Sequence, residues 1–138
     1  MKEEYKVLIV DEDEVVLSSL EKLLKQEGYS VVTTQSTEKA FEKIKAQKFH
    51  IVVTNIVMPQ MDGIELLKEI RKYDPMTQII MMTEHSTMDK VLSSLEYGAN
   101  DYIYKPFKSE EFVIDVIKYS IQKLEAKGII KLLEIVAS

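Results

Sequence analysis

Apolar runs of strand length alternate with segments of helical period along nearly the whole chain, and few folds accept that pattern. Tyr5–Val10 reads as a first strand. Val16, Leu20, Leu23 and Leu24 then recur at helical spacing, with Gly28 as a C-terminal stop. Val31–Thr34 is a second, β-branched strand, and Ser36 or Thr37 can cap a helix carrying Ala40, Phe41 and Ile44. Phe49–Thr54 is the third strand. Asp62 with Glu65 has the form of a capping box for a helix through Leu66, Leu67 and Ile70, ended by Asp74 and Pro75. Gln78–Met82 is the fourth strand. Ser86 with Asp89 opens a helix bearing Met88, Val91, Leu92 and Leu95, stopped near Gly98. Asp101–Tyr104 is the fifth strand. Ser109 caps a last long helix with Phe112, Val113, Val116, Ile117, Ile121 and Leu124 on its apolar face.

Strands that alternate with helices imply parallel βαβ units. Several of these strands are apolar throughout, as expected when helices cover both faces. The pattern therefore predicts an α/β three-layer sandwich around a five-stranded parallel sheet with five helices. At 138 residues the chain suits one domain able to bury a core without staples. The predicted division is a domain over 1–124 and a C-terminal tail over 125–138. Gly128 is expected to interrupt the last helix, and IIKLLEIVAS then places Ile129, Leu132, Leu133 and Val136 on one face. A helix that short must pack on something. Docking on its own domain, a dimer contact and a linker stub all stay open.

Composition closes off several chemistries. The chain has no cysteine, so thiolate catalysis, disulfides and cysteine zinc sites are excluded. The net charge of −5 argues against direct nucleic-acid binding. Neither a signal-peptide pattern nor a membrane-length apolar run is present, so no membrane contact is expected and the cytoplasm is the expected compartment.

In open parallel sheets, ligands bind beyond the carboxyl ends of the strands, where strand order reverses. Asp11, Glu12 and Asp13 follow strand one. Asn55 follows strand three. Thr83, Glu84 and His85 follow strand four, and Lys105 and Pro106 follow strand five. Each alone has a plain explanation: Asp13 and Glu14 suit the positive end of a helix dipole, a threonine caps, a lysine is solvated. Asp11 is harder to dismiss because it abuts a buried strand. Together, acids at one spot suit a hard cation such as Mg²⁺, and a hydroxyl and a lysine beside it suit a phosphoryl group. The missing part is a nucleophile. An aspartate at position 55 would supply one; the amide of Asn55 has a neutral oxygen and a delocalised lone pair.

These motifs resemble the receiver domain of two-component response regulators over about residues 4–124. VLIVDEDE resembles the family's first acidic motif, with Asp11 and Glu12 as its acid pair. NIVMPQMDG resembles the acceptor motif, Thr83 its hydroxyl position and YIYKPF its lysine–proline motif. The resemblance implies a flavodoxin-like sheet in the order 2-1-3-4-5, for which a receiver is one of the standing examples. It implies that Asp11, Glu12, the residue 55 side chain and the Val57 carbonyl hold Mg²⁺, that Thr83 and Lys105 contact the phosphoryl group, and that Tyr102 is the switch aromatic. Thr83 then moves toward the phosphoryl group, Tyr102 swings inward, and the surface of helix four, strand five and helix five changes. A cis Lys105–Pro106 bond is implied. So are a sensor histidine kinase or phosphotransfer protein as partner, and homodimerisation through that surface or the tail. Asn55 departs from the family's phosphoaccepting aspartate. It is expected to weaken Mg²⁺ binding and abolish the domain's part in its own phosphorylation; the chain is otherwise expected not to be an enzyme. An engineered block and a natural pseudo-receiver are both consistent with Asn55.

Two other readings compete. DEDEVV also fits the DxDx[TV] opening of haloacid-dehalogenase-type phosphohydrolases, with Asp11 as nucleophile, Asp13 as acid/base and Thr83 and Lys105 binding phosphate. Those enzymes insert a flap between the first strand and its helix, whereas here the helical period starts at once. The third reading is an interaction module that works without phosphorylation. Of the remaining residues, His50 reads as structural or surface, His85 as a solvent-facing loop residue, Met58, Met61, Met81 and Met82 as core and loop packing, and Tyr104 as packing.

Overall fold

The structure is a computed structural model that describes residues 5–59, 61–84 and 88–137. Five strands and five helices alternate: β1 (Lys6–Val10), α1 (Glu14–Gln26), β2 (Ser30–Thr34), α2 (Thr37–Ala46), β3 (Ile51–Asn55), α3 (Gly63–Tyr73), β4 (Gln78–Thr83), α4 (Met88–Glu96), β5 (Asp101–Tyr104) and α5 (Glu110–Ala137). All strand pairs are parallel and the sheet order is β2-β1-β3-β4-β5. The flavodoxin-like architecture is thus the observed one.

Burial follows position in the sheet. Every residue of β3 and β4 is buried, whereas the edge strands β2 and β5 are covered only in part. Successive side chains point to opposite faces. On one face Val7, Ile9, Val53, Ile80 and Ile103 pack against Leu17, Leu20 and Leu24 of α1 and Val113, Val116, Ile117 and Ile121 of α5. On the other, Leu8, Val10, Val52, Ile79 and Met81 meet Ala40 and Ile44 of α2 and Leu66, Leu67 and Ile70 of α3. Met58, Met81 and Met82 are buried and Met61 packs at the margin, as their packing role requires.

The helix starts are capped by side chains. Asp13 Oδ1 accepts from Val15 N at 2.9 Å, Ser36 Oγ from Lys39 N at 3.3 Å, and Asp62 Oδ1 from both Ile64 N and Glu65 N at 3.0 Å. Ser109 Oγ accepts from Phe112 N at 3.0 Å. Ser36, not Thr37, is therefore the cap of α2. The expected Ser86 cap lies outside the described residues. Gly28 and Gly98 end α1 and α4 with positive φ, 95° and 89°, a conformation that favours glycine.

Three expectations are corrected. α5 runs unbroken through Gly128 to Ala137. A glycine inside a helix costs only about 1 kcal/mol, too little by itself to end a helix flanked by Glu125, Ala126 and Lys127 and by Lys131, Leu132 and Leu133. The apolar face of α4 is also different: Ser94 is fully buried and Val91 packs on the core, whereas Leu92 and Leu95 are 62% and 54% exposed. Phe112 sits at the exposed margin of α5 rather than in the core. Periodicity marks an apolar arc but not which edge of it meets the sheet. Of the expected tail face, Val136 is exposed, and the side chains of Ile129, Leu132 and Leu133 lie outside the described residues, as does that of Met88.

Candidate functional site

Sheet register assembles the polar residues. β1 pairs with β3 so that Val10 faces Thr54, which puts Asp11 beside Asn55 at the point where strand order reverses. β3 pairs with β4 so that Asn55 faces Met82, and Thr83 is the last residue of β4. Asn55 is itself the final residue of β3, one position further into the strand than the sequence suggests. Lys105 is tied to the same edge by its backbone N–H, which donates to the Thr83 carbonyl at 2.8 Å, and it precedes a cis peptide bond to Pro106. Asp11, Asn55, Thr83 and Lys105 are thereby brought to one edge, with Glu12 and Val57 in the segments that follow β1 and β3.

Asp11 is 1% exposed, and both carboxylate oxygens are engaged. Oδ1 accepts from Asp13 N at 2.9 Å, and Oδ2 is paired with the Lys105 ammonium, itself largely buried. Asn55 is 9% exposed, and its Nδ2 donates to the Val57 carbonyl at 2.8 Å. Glu12 is exposed, and its backbone carbonyl accepts from Gln35 Nε2 at 3.0 Å. Thr83 Oγ1 donates to the Glu84 carbonyl at 3.2 Å. Glu12, Asn55, Val57, Thr83 and Glu84 line a cleft of about 200 Å³ floored by Ile56 and Met82. It has room for a small hydrated ion or a phosphoryl group, not for a large substrate.

Gly63 presses on this site from behind. A Cβ at position 63 would lie 2.3 Å from the Asn55 carbonyl oxygen and 3.0 Å from Ile56 Cα. The Gly63 N–H donates to the Ile56 carbonyl at 2.7 Å. Only glycine lets α3 start this close to the end of β3. Asp62, beyond capping α3, receives Lys90 of α4 at 3.4 Å.

Tyr102 lies on β5 opposite Met81, on the α4 side of the sheet. Its hydroxyl is 2.8 Å from Ser94 Oγ and donates to the Val91 carbonyl at 3.4 Å. Ser94 was not singled out from the sequence. The signal was there: a serine three residues after Val91 on a helix that must face the sheet. Tyr104 is 48% exposed, so packing does not account for it. His50 has a structural place at the far end of the sheet, where its Nδ1 accepts from Lys6 N at 3.0 Å. His85 lies outside the described residues.

The oxygen donors are of the type a hard cation takes. Their present arrangement fits one poorly, because the Asp11 carboxylate and the Val57 carbonyl are already engaged by protein donors. Among the described residues, no group of three or more histidine or acidic side chains is placed to hold a metal. The competing hydrolase arrangement fits less well. The Asp13 carboxylate caps α1, and α1 begins at Glu14 with no space for a flap.

Comparison with known proteins points one way. The family model for the response regulator receiver domain matches residues 7–117. The alkaline phosphatase synthesis transcriptional regulatory protein PhoP of Bacillus subtilis is 38% identical over 107 residues, covering 77% of this chain and 44% of that protein. The DNA-binding transcriptional regulator NtrC of Klebsiella pneumoniae is 37% identical over 105 residues, 76% of this chain and 22% of that one. The chain thus spans less than half the length of either relative. Among solved structures, a CheY-like receiver domain protein from Methanospirillum hungatei superposes with a TM-score of 0.85 at 31% identity, covering 89% of this chain and 98% of that one. A receiver domain protein from Clostridium thermocellum gives 0.83 at 25% identity, covering 88% and 98%.

Proposed function

The chain belongs to the response regulator receiver domain family, and from that premise we propose that it is a receiver whose signal does not pass through a phosphoryl group on residue 55. A receiver is a switch module rather than an enzyme acting on an outside substrate. The observation that carries the proposal is the Asn55 side chain at the end of β3, with its amide nitrogen turned to the Val57 carbonyl. An amide oxygen is a poor nucleophile, and here the group is also engaged in a hydrogen bond. Asp11, Thr83 and Lys105 at the neighbouring strand ends support the reading, because phosphoryl transfer needs positioning and charge neutralisation.

In this reading Thr83 and Lys105 are the groups that would contact an anion in the cleft, and Tyr102 with Ser94 is the element that relays its presence to α4. A Mg²⁺ ion would be held by Asp11, Glu12, the Asn55 Oδ1 and the Val57 carbonyl, and would supply charge neutralisation. With an amide at position 55 and two of these donors engaged, its affinity is reduced. A sensor histidine kinase or a phosphotransfer protein is the partner that the family supplies. A second copy of the chain or an output partner would use the α4–β5–α5 face, where Leu92, Leu95, Tyr104 and Tyr119 are exposed. No helix among the described residues is long and apolar enough to cross a membrane, and the net charge of −5 argues against direct nucleic-acid binding. We place the protein in the cytoplasm.

The test is intact mass after incubation with Mg²⁺ and a small phosphodonor. The unmodified chain is expected to gain nothing, and Asn55→Asp to gain one phosphoryl group. If the unmodified chain is labelled, phosphorylation proceeds elsewhere and the reading is lost. If neither is labelled, the surrounding groups no longer form a receiver site, and the phosphorylation-independent interaction module replaces it.

A further inference from the structure

We propose that the Asn55 amide and the Lys105 ammonium together take the place of a divalent cation, so that this site keeps its shape without Mg²⁺. The inference deepens the receiver reading above and rests on it. Consider the groups that would hold a cation at this edge: the Asp11 carboxylate, the residue 55 side chain and the Val57 carbonyl. Two of these, the Asp11 carboxylate and the Val57 carbonyl, are already joined to protein donors, and the third, the Asn55 amide, supplies one of those donors. The Val57 carbonyl accepts from Asn55 Nδ2 at 2.8 Å. Asp11 Oδ2 is paired with Lys105, and Asp11 Oδ1 accepts from Asp13 N at 2.9 Å. Glu12 stands at the exposed rim, and one carboxylate with water is a weak Mg²⁺ site.

The orientation of the amide follows from the same geometry. Turned the other way, it would set its oxygen against the Val57 oxygen at hydrogen-bond distance, two acceptors with no proton between them. An aspartate at position 55 has no better orientation. Either of its oxygens would face that carbonyl, in a place only 9% exposed where little water can intervene. A carboxylate here therefore needs a cation to bridge the two oxygens; the amide carries its own bridge in the N–H bond. The Lys105 contact completes the substitution. With residue 55 neutral, the ammonium pairs with Asp11, and the buried carboxylate is compensated without metal. Asn55 on this view does more than remove a nucleophile. It converts a metal-dependent acidic site into a self-neutralised one.

The experiment is thermal unfolding of the full chain and of Asn55→Asp, each in EDTA and in saturating MgCl₂. The unmodified chain is expected to melt at the same temperature in both. Asn55→Asp is expected to melt about 5 °C lower in EDTA, a shift of the size that one lost buried hydrogen bond gives in a domain this large, and to recover in MgCl₂. Equal Mg²⁺ stabilisation of both proteins overturns the inference, as does an Asn55→Asp chain that melts no lower in EDTA. If Asn55→Asp does not fold, the unmodified chain decides alone. Its Asn55 side-chain NH₂ resonances are expected to stay unshifted through a MgCl₂ titration, and saturable shifts there would overturn the inference. Phosphodonor labelling of the same Asn55→Asp sample separates the two readings. Labelling with Mg²⁺-independent melting sinks only the amide bridge. Absence of labelling sinks the receiver reading and, with it, the footing of this one.

Discussion

At the amino end of the sheet, the Arg71 guanidinium donates to the carbonyls of Pro75, Thr77 and Gly98 and to Asn100 Oδ1, which in turn accepts from Ile79 N at 2.7 Å. At the carboxyl end, Asn55, Thr83 and Glu12 line a cleft instead. Both ends hold buried polar groups, and the difference lies in what those groups face. Arg71 spends its donors on closing loops against one another. The residues around Asn55 are tied to the chain that follows their own strands or to neighbouring strand ends, and a cleft remains between them. Polarity that fills its own volume is structural; polarity arranged around a void is a candidate site. Burial also pushes the Arg71 guanidinium below its ordinary value, with Asp74 acting the other way. A depressed arginine is thus found here in a group spent on holding loops together.

The strongest test of this contrast is Arg71→Ala. It strips donors from three backbone carbonyls and from Asn100, and leaves those acceptors in a partly buried place. The expected loss is about 3 kcal/mol in urea unfolding. Arg71→Lys should recover little, because one ammonium cannot reproduce the planar fork. In an Asn55→Asp background, phosphodonor labelling per folded molecule should be unchanged. A large drop in labelling would mean that the two ends are coupled and the contrast is false.

Gly63→Ala tests the opposite case, a substitution that strikes fold and site together. The new Cβ would meet the Asn55 carbonyl oxygen at 2.3 Å and Ile56 Cα at 3.0 Å, both backbone, so the end of β3 must move. Forced repacking of this kind costs about 2 kcal/mol. The smaller stability loss should carry the larger functional one. Labelling of Gly63→Ala with Asn55→Asp should fall well below that of Asn55→Asp alone, measured by intact mass over time. Equal labelling would show that the strand end gives way without disturbing the cleft.

The two ends were unequally legible in the sequence. The sheet and the carboxyl-end residues could be read because each is a local signal: a continuous apolar run, then a polar residue at its end. Asp11, Asn55, Thr83 and Lys105 all come from that one rule. The Arg71 network could not be read, because its partners lie between Pro75 and Asn100 and meet only once α3, β4 and the α4–β5 turn are packed. The direction of the Asn55 amide was hidden for the same reason, since it depends on how the chain turns at Val57. The exposure of Leu92 and Leu95 was missed because Ser94 takes the buried place on α4, held there by its contacts to the Val91 carbonyl and the Tyr102 hydroxyl. Gly128 was misread because glycine is a stop signal only where the backbone needs positive φ, as at Gly28 and Gly98.

The smallest expected effect is a pH dependence at the amino end. His50 joins three strands there: its N–H donates to the Lys6 carbonyl, its Nδ1 accepts from Lys6 N, and its carbonyl accepts from Gln78 N. The ring also stands edge-on to Tyr5 at 5.2 Å. Burial is the largest influence on the imidazole and lowers its pKa; Lys48 and Lys6 lower it further, and Asp74 opposes them. The sign follows. The unfolded chain binds a proton near the ordinary value of about 6.5, the folded chain only at lower pH, so stability rises with pH between the two. It should be constant above that ordinary value, decline as pH falls through the folded pKa, and then level off. Asp74 adds a separate decline at more acidic pH. Burial works to raise its pKa, but hydrogen bonds from Lys48 Nζ and Met76 N outweigh it and leave the pKa lowered. Urea midpoints of the unmodified chain and His50→Gln across pH 8 to 5 measure the first decline, which should vanish in the variant. Its persistence would move the pH sensitivity to other groups and leave His50 with a packing role alone.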